Sequence, residues 1–234
     1  MHLLIIKQKI NIFLQLILRP WGKFSFLNDI PRNSKILDIG CGNNSAFKIK
    51  IFLPDAYYVG IDVCDYNNQN DANIYADQYI LTDPNDFVNT INSIADKFDV
   101  IISSHNLEHC NDRYGTLNAM IDKLNDKGKI YLSFPSEKTI NFPKRKGTLN
   151  YYDDLTHVGL PPDFNLVLEI LKEKSLNIIF SARSYKPFLL NRIGYFTNLI
   201  SIFTKEVLIG VWEWWGFESI IIAQKSIKQC KTQL

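Results

Sequence analysis

The chain predicts an α/β fold in which a mostly parallel sheet is covered by helices on both faces. Three observations carry this. Short β-branched runs alternate with helix-length intervals along the 234 residues. Runs such as 98–103 are apolar at nearly every position, as strands buried between two helix layers must be. The first strong run ends in a tight glycine turn, Gly40-Cys41-Gly42. Strands are expected near 35–39, 57–62, 78–81, 98–103, 129–134, 176–181 and 217–224, with helices near 114–124 and 163–174 among the intervals. No repeat, low-complexity segment or Gly/Ser linker divides the chain, so residues 1–234 read as one domain with a full core.

Residues 1–30 form an N-terminal helical region. Ile6, Ile10, Phe13 and Ile17 recur at helical spacing ahead of Pro20, which predicts an amphipathic helix. Lys7, Gln8, Lys9, Asn11 and Gln15 interrupt the apolar run, so a transmembrane segment is not expected. A signal peptide is not expected either, because a basic start and a small-residue cleavage site are missing. The helix is expected to cap the ligand pocket or pack on the sheet, with contact at a membrane surface as the alternative.

The next element is Lys35-Ile36-Leu37-Asp38-Ile39-Gly40-Cys41-Gly42, a strand running into a turn. Glycine here lets the backbone turn sharply and lets a ligand approach without a Cβ in the way. A dinucleotide site would favour a third glycine two residues on, but the run continues Asn43-Asn44-Ser45. Asp38 sets a negative charge beside the turn, which suits a cation better than a diphosphate. S-adenosylmethionine carries an ammonium and a sulfonium and no phosphate, and fits. Tyr58-Val59-Gly60-Ile61-Asp62-Val63 follows, with Asp62 placed 24 residues after Asp38. An acid at the tip of a second strand can accept hydrogen bonds from ribose hydroxyls. Phe98 to Ser104 reads as a buried strand leading directly into His105-Asn106-Leu107-Glu108-His109, and Lys127 to Pro135 as a turn and a further strand.

This ordered set resembles the class I S-adenosylmethionine-dependent methyltransferases. Within them it is similar to a small-molecule branch of sugar and polysaccharide biosynthesis, whose fourth strand ends in a Ser-Ser-His-x-Leu-Glu-His type segment. The resemblance spans roughly residues 33–135 and covers the C-terminal strands in outline. It implies a Rossmann-like, seven-stranded sheet whose last strand, 217–224, is antiparallel. It places Asp38, Gly40, Cys41 and Gly42 around the methionine moiety, Asp62 on the ribose and Asp83 beside the adenine. Ser104 and His105 would close the pocket. The amino-directed nucleic-acid methyltransferases carry an Asp/Asn-Pro-Pro-Tyr type motif where this chain reads Ser103-Ser104-His105-Asn106. With a formal net charge of +2 and no basic stripe, a nucleic-acid substrate is not expected.

Methyl transfer is an in-line displacement, so positioning supplies much of the rate, and an alcohol acceptor also needs its proton removed. His105, Glu108 and His109 stand at i, i+3 and i+4. If the chain turns helical after Ser104 they share a face and form a candidate divalent-metal site, with Asp or His from 153–157 completing it. Without metal, Glu108 and His109 would orient the loop. His105 and His157 are the candidate bases, Glu108 assists, and Asp153 and Asp154 are the carboxylates closest to His157 in sequence. Residues 136–162 and 185–215 exceed the minimal fold and are expected to be lid or interface insertions. Lys144-Arg145-Lys146 reads as a solvated turn or a phosphate grip. The Trp212–Trp215 cluster reads as core or homodimer interface before sugar platform. Cys41, Cys64, Cys110 and Cys230 show no metal or disulfide spacing, which suits a reducing cytoplasm, with peripheral contact at the inner face of the membrane left open. The expected reaction is O-methylation of a small polar acceptor, a carbohydrate. N-methylation of an amine and a non-catalytic, cofactor-binding partner subunit are the alternatives.

Overall fold

The computed structural model describes residues 2–42, 44–64 and 72–227. Its seven strands are β1 (Lys35–Ile39), β2 (Tyr57–Asp62), β3 (Gln78–Leu81), β4 (Phe98–Ser104), β5 (Leu124–Pro135), β6 (Leu176–Ala182) and β7 (Glu218–Lys225). They form one sheet in the order β3-β2-β1-β4-β5-β7-β6. All neighbours from β3 through β5 pair in parallel, while β7 runs antiparallel to both β5 and β6. The strand order reverses between β1 and β4, and ligands of open α/β sheets bind at the carboxyl ends beside such a reversal. The first three strands match the sequence expectation residue for residue. Strand β5 starts five residues earlier than 129, because Phe98 pairs with Leu124 before the register shifts.

The helices are α1 (His2–Leu18), α2 (Lys23–Asn28), α3 (Ser45–Phe52), α4 (Ala72–Tyr75), α5 (Phe87–Ser93), α6 (Arg113–Asp122), α7 (Phe164–Glu173), α8 (Phe188–Thr204) and α9 (Val211–Trp215). Asp112 caps α6 by accepting from the Gly115 N–H, and Asp163 caps α7 by accepting from Asn165 and Leu166. The sheet is buried on both sides. One core joins it to Ile91, Leu117, Met120 and Leu171; the other joins it to Phe24, Leu27, Ala46 and Ile49. Each such side chain contributes about 1.5–3 kcal/mol of transfer free energy, which makes these two layers the main source of stability.

Helix α1 forms where expected, but its apolar stripe does not face inward. Ile6, Ile10, Phe13 and Ile17 are each 44–61% exposed, and the contact with the body is made through buried Ile12 instead. Periodicity placed these four on one face; it carried no information about which face packs.

Both insertions are ordered. In 136–162, Asp153 Oδ2 accepts from the backbone N–H groups of Arg145 (3.1 Å), Leu149 (3.0 Å) and Asn150 (2.9 Å), tying the loop into a knot. Arg145 is neither a solvated turn residue nor an anion grip: it is buried and donates to Asn198 Oδ1 (2.8 Å) and Ser201 Oγ (2.6 Å) of α8. In 185–215, Trp212 and Trp215 pack against a satellite core of Leu149, Val211 and Phe217. Their indole N–H groups reach the Thr148 carbonyl (2.7 Å) and Asn198 (2.9 Å), so the cluster serves as core. Cys41, Cys64 and Cys110 are free thiols; Asn43 and Cys230 lie outside the described residues.

Candidate functional site

The turn after β1 is built as its glycines require. Gly40 sits at φ +74, and a Cβ there would lie 2.6 Å from the Asn106 side chain, so neither the conformation nor the space admits another residue. The turn is laced to β2: Gly40 N–H donates to the Ile61 carbonyl (2.8 Å), and Gly42 N–H donates to Asp62 Oδ2 (2.6 Å). Val63 N–H donates to Asp62 Oδ1 (2.7 Å). Burial pushes the Asp62 pKa up against these N–H bonds, leaving a carboxylate with spare lone pairs at the strand tip. Cys41 is buried, which pushes its thiol up and makes it packing rather than a nucleophile.

Asp38 is fully buried and shares one oxygen among three donors: Lys23 Nζ (3.0 Å), Ser45 Oγ (2.6 Å) and Tyr58 OH (2.9 Å). Its other oxygen, Oδ1, is buried with no hydrogen-bond partner. An orphaned carboxylate oxygen beside a glycine cradle fits a cationic ligand, although Lys23 already offsets part of the charge. Asp83 makes an Asx turn by accepting from Asn85 N–H (2.8 Å), and Ser104 pairs with Ser133 across the sheet (3.0 Å).

Beyond β4 the chain departs from the expected helical face. His105 takes a left-handed φ of +54, and a short 3-10 turn, Leu107–His109, follows. The His105 ring is therefore set apart from His109. Its Nδ1 lies 3.0 Å from Glu108 Oε1 and its Nε2 lies 3.1 Å from Glu218 Oε1. Burial alone would favour the neutral imidazole, but the two carboxylates outweigh it and raise the pKa to about 10. Glu218 is held down at about 2: burial opposes ionisation, and the Arg19 charge and the His105 bond overcome it. At neutral pH His105 is thus a clamped cation. That makes it a donor, not a free base.

His109 instead meets the ordered 136–162 insertion. One ligand atom each from Glu108, His109 and His157 lies within 4.8 Å of the others. Of the predicted trio, Glu108 and His109 are grouped with His157, from the segment expected to complete the site, while His105 stands apart. The surrounding bonds fix both tautomers. His157 Nδ1 donates to the Tyr151 carbonyl (2.6 Å). Thr156 Oγ1 donates to Asp154 Oδ1 (2.6 Å), so the contact at 2.9 Å requires His109 Nδ1 to donate to Thr156. In the neutral form of either ring, Nε2 is then the nitrogen that carries the lone pair. Burial lowers the His157 pKa, which keeps it neutral, and the Tyr151 ring stacks on it at 4.3 Å. Glu108 is fully buried, and its Oε2 has no partner. Asp154, not Asp153, is the carboxylate beside His157, at 4.0 Å.

A family model described as a methyltransferase domain matches residues 12–218. The chain belongs to that family. The match shows an enzyme, and the fold agrees with it. A solved S-adenosylmethionine-dependent methyltransferase of Archaeoglobus fulgidus superposes with a TM-score of 0.53 at 18% identity, covering 93% of this chain and 94% of that one. The methyltransferase of a Haloferax volcanii complex with the Trm112 methyltransferase activator gives 0.60 at 12% identity, covering 94% of each chain. The uncharacterized protein MJ0906 of Methanocaldococcus jannaschii is 31% identical over 109 residues, 44% of this chain; the chain spans 29% of that protein's length.

The methyltransferase carries site residues that local motifs did not disclose. Lys23 and Tyr58 engage Asp38 of β1 and Glu218 engages His105 after β4, with Arg19 holding Glu218 from behind, yet they come from α2, β2, β7 and the end of α1. Only Lys23 had a sequence signal, as a cation in the first turn of a helix ahead of the glycine strand.

Proposed function

We propose that this methyltransferase works in the cytoplasm, taking its methyl group from S-adenosylmethionine and placing it on a hydroxyl of a small polar acceptor. The acceptor class is a sugar or nucleotide-linked sugar of surface polysaccharide assembly. S-adenosylmethionine supplies an electrophilic methyl carbon on a sulfonium. Asp62 offers its spare lone pairs to ribose hydroxyls, and Asp38 Oδ1 offers an unpartnered acceptor oxygen to the ammonium.

The observation that carries the hydroxyl assignment is the neutral His157, with Nε2 unprotonated beside Glu108 and His109. An alcohol must lose its proton as it attacks, and a neutral imidazole whose Nδ1 is held by the Tyr151 carbonyl is the group for that. An amine acceptor needs no such base. The sugar assignment rests on the resemblance of the Ser103–His109 run.

A divalent cation held by Glu108, His109 and His157 is the second reading. The two lone-pair nitrogens and the unpartnered Glu108 oxygen favour it, as two imidazoles and one carboxylate suit a first-row metal. Such an ion would lower the pKa of a bound hydroxyl.

Purified protein incubated with labelled donor and a panel of sugar nucleotides, with product masses read, tests the proposal. An O-methylated sugar lost in His157→Ala supports it. Methyl incorporation confined to amines would overturn it. Chelation followed by restoring Mg2+, Mn2+ or Zn2+ separates base from metal.

A further inference from the structure

The outward stripe of α1 has a neighbour. Helix α8 packs beside α1 and turns only Leu190, Gly194, Asn198 and Ser201 inward. The rest of its surface is apolar and open: Phe188 is 70% exposed, Phe196 67% and Phe203 85%. On α1, Leu3 is 82% exposed and Phe13 61%. Both helices rim one cavity of about 520 Å3. An apolar surface this extensive is not left in water without a partner.

The charge pattern selects the partner. Residues 2–28 contain Lys7, Lys9, Arg19 and Lys23, and residues 183–205 contain Arg183, Lys186, Arg192 and Lys205. Neither segment has a single acid, although the chain holds 24. Lys7 and Lys9 of α1, Arg192 of α8, and Lys186 and Lys205 flanking α8 are all exposed. A second copy docked through the same face would bring two cationic segments without acids together, because a two-fold interface uses one patch on both subunits, and no carboxylate of either segment would answer the charge. An anionic bilayer complements both properties at once: aromatic and aliphatic side chains enter the headgroup boundary while lysine and arginine meet phosphate. At 17 residues each, α1 and α8 lie on such a surface instead of crossing it, and no helix among the described residues is long and apolar enough to cross.

We propose that the α1–α8 face docks this methyltransferase on an anionic membrane surface, and that an acceptor carried on a lipid enters through the cavity between α1 and residues 207–213, which α8 borders at Leu190. The cavity supports the second half. Gln8, Asn11 and Gln15 line it from α1, and its wall includes Trp212 and Glu213. The Trp212 ring lies 5.4 Å from the His105 ring, so this wall of the cavity adjoins the residue that follows β4. A polar headgroup admitted from the membrane side would be guided by amides toward the site. This half rests on the proposed function; the docking half does not.

Vesicle co-sedimentation with the full chain, without donor or acceptor, tests docking by itself. Vesicles of phosphatidylcholine with about one third phosphatidylglycerol should retain the protein, and pure phosphatidylcholine should not, given the surface potential that anionic lipid creates. Raising salt to about 0.5 M should release it, because surface charges are screened over a few ångströms there. The variant Phe13→Ser/Phe196→Ser/Phe203→Ser removes exposed groups only; it should bind roughly tenfold more weakly, through lost apolar insertion, with an unchanged circular dichroism spectrum. Light scattering should report a monomer. Equal binding to neutral and anionic vesicles, no binding to either, or a stable dimer that the triple variant dissociates would each overturn the docking. If docking holds but a short-chain lipid-linked sugar is methylated no faster than the free sugar nucleotide, the entry route fails while the membrane face stands.

Discussion

Glu218→Gln tests the ionic chain at the heart of the site. Glu218 is 5% exposed and joins two cations that come from opposite ends of the fold, Arg19 after α1 and His105 after β4. Removing one partner of a buried ion pair costs about 3–5 kcal/mol, because the remaining charge is stranded. Here each cation keeps a second carboxylate: Arg19 keeps Glu213 at 3.8 Å and His105 keeps Glu108 at 3.0 Å. The loss should fall at the low end, about 3 kcal/mol, which lowers the melting temperature of a chain this size by about 6–12 °C. The pH dependence carries the sharper sign. His105 is raised from 6.5 to about 10, so its stabilisation is complete below pH 6.5 and lost as pH climbs to about 10. Glu218 is lowered from 4.5 to about 2, so its contribution is complete above pH 4.5 and lost as pH falls toward about 2. Urea denaturation of the natural protein should therefore show a plateau between about pH 4.5 and 6.5 from this pair. In Glu218→Gln the acidic decline from this group disappears, and the alkaline decline moves to lower pH as His105 loses one of its two carboxylates. A variant within about 1 kcal/mol of the parent, with an unmoved alkaline decline, would refute the ionic account.

Four further outcomes follow from the geometry. His157→Ala should lower turnover by at least about a hundredfold if it is the proton acceptor, since general bases contribute roughly that much. The acid limb of the parent's pH–rate profile should lie below pH 6.5, because burial lowers the His157 pKa; a limb above 7 would exclude that residue as the base. His105→Gln keeps a hydrogen-bond donor and should retain far more activity than His157→Ala, an order that steady-state rates on one acceptor decide. Gly194→Ala would put a Cβ 2.0 Å from the Gly210 carbonyl oxygen, where α8 meets the turn before α9. Overpacking against backbone should cost about 1–3 kcal/mol in urea titration, and an unchanged midpoint would show that the two segments can part.

How far the site was legible depends on the distance over which each feature is determined. The first three strands, the Gly40 turn and the Asp38–Asp62 spacing are local: a short continuous apolar run and a positive φ leave marks within a few residues. The side on which α1 packs is not local. Ile6, Ile10, Phe13 and Ile17 make the same stripe whether they meet a sheet or a bilayer, and only the position of Ile12 against α2 and the sheet decides between them. His105, Glu108 and His109 fail in a different way. Their spacing suits a helix, but the bond from His105 N–H to the Ser133 carbonyl (2.9 Å) prolongs the pairing of β4 with β5, and a left-handed residue then breaks the face. Helical spacing predicts a shared face only where helical hydrogen bonds begin, and here they begin two residues too late for His105. The neighbouring carboxylates show the same limit at shorter range. Asp153 and Asp154 are equivalent candidates in sequence, yet one closes a capping box on Asn150 and the other turns to Thr156 and His157. Only the fold of the 145–153 loop, anchored through Arg145 to α8, tells them apart. A residue's chemical type is thus readable from the chain, while its partner is set by whichever backbone donors the tertiary structure leaves unsatisfied beside it.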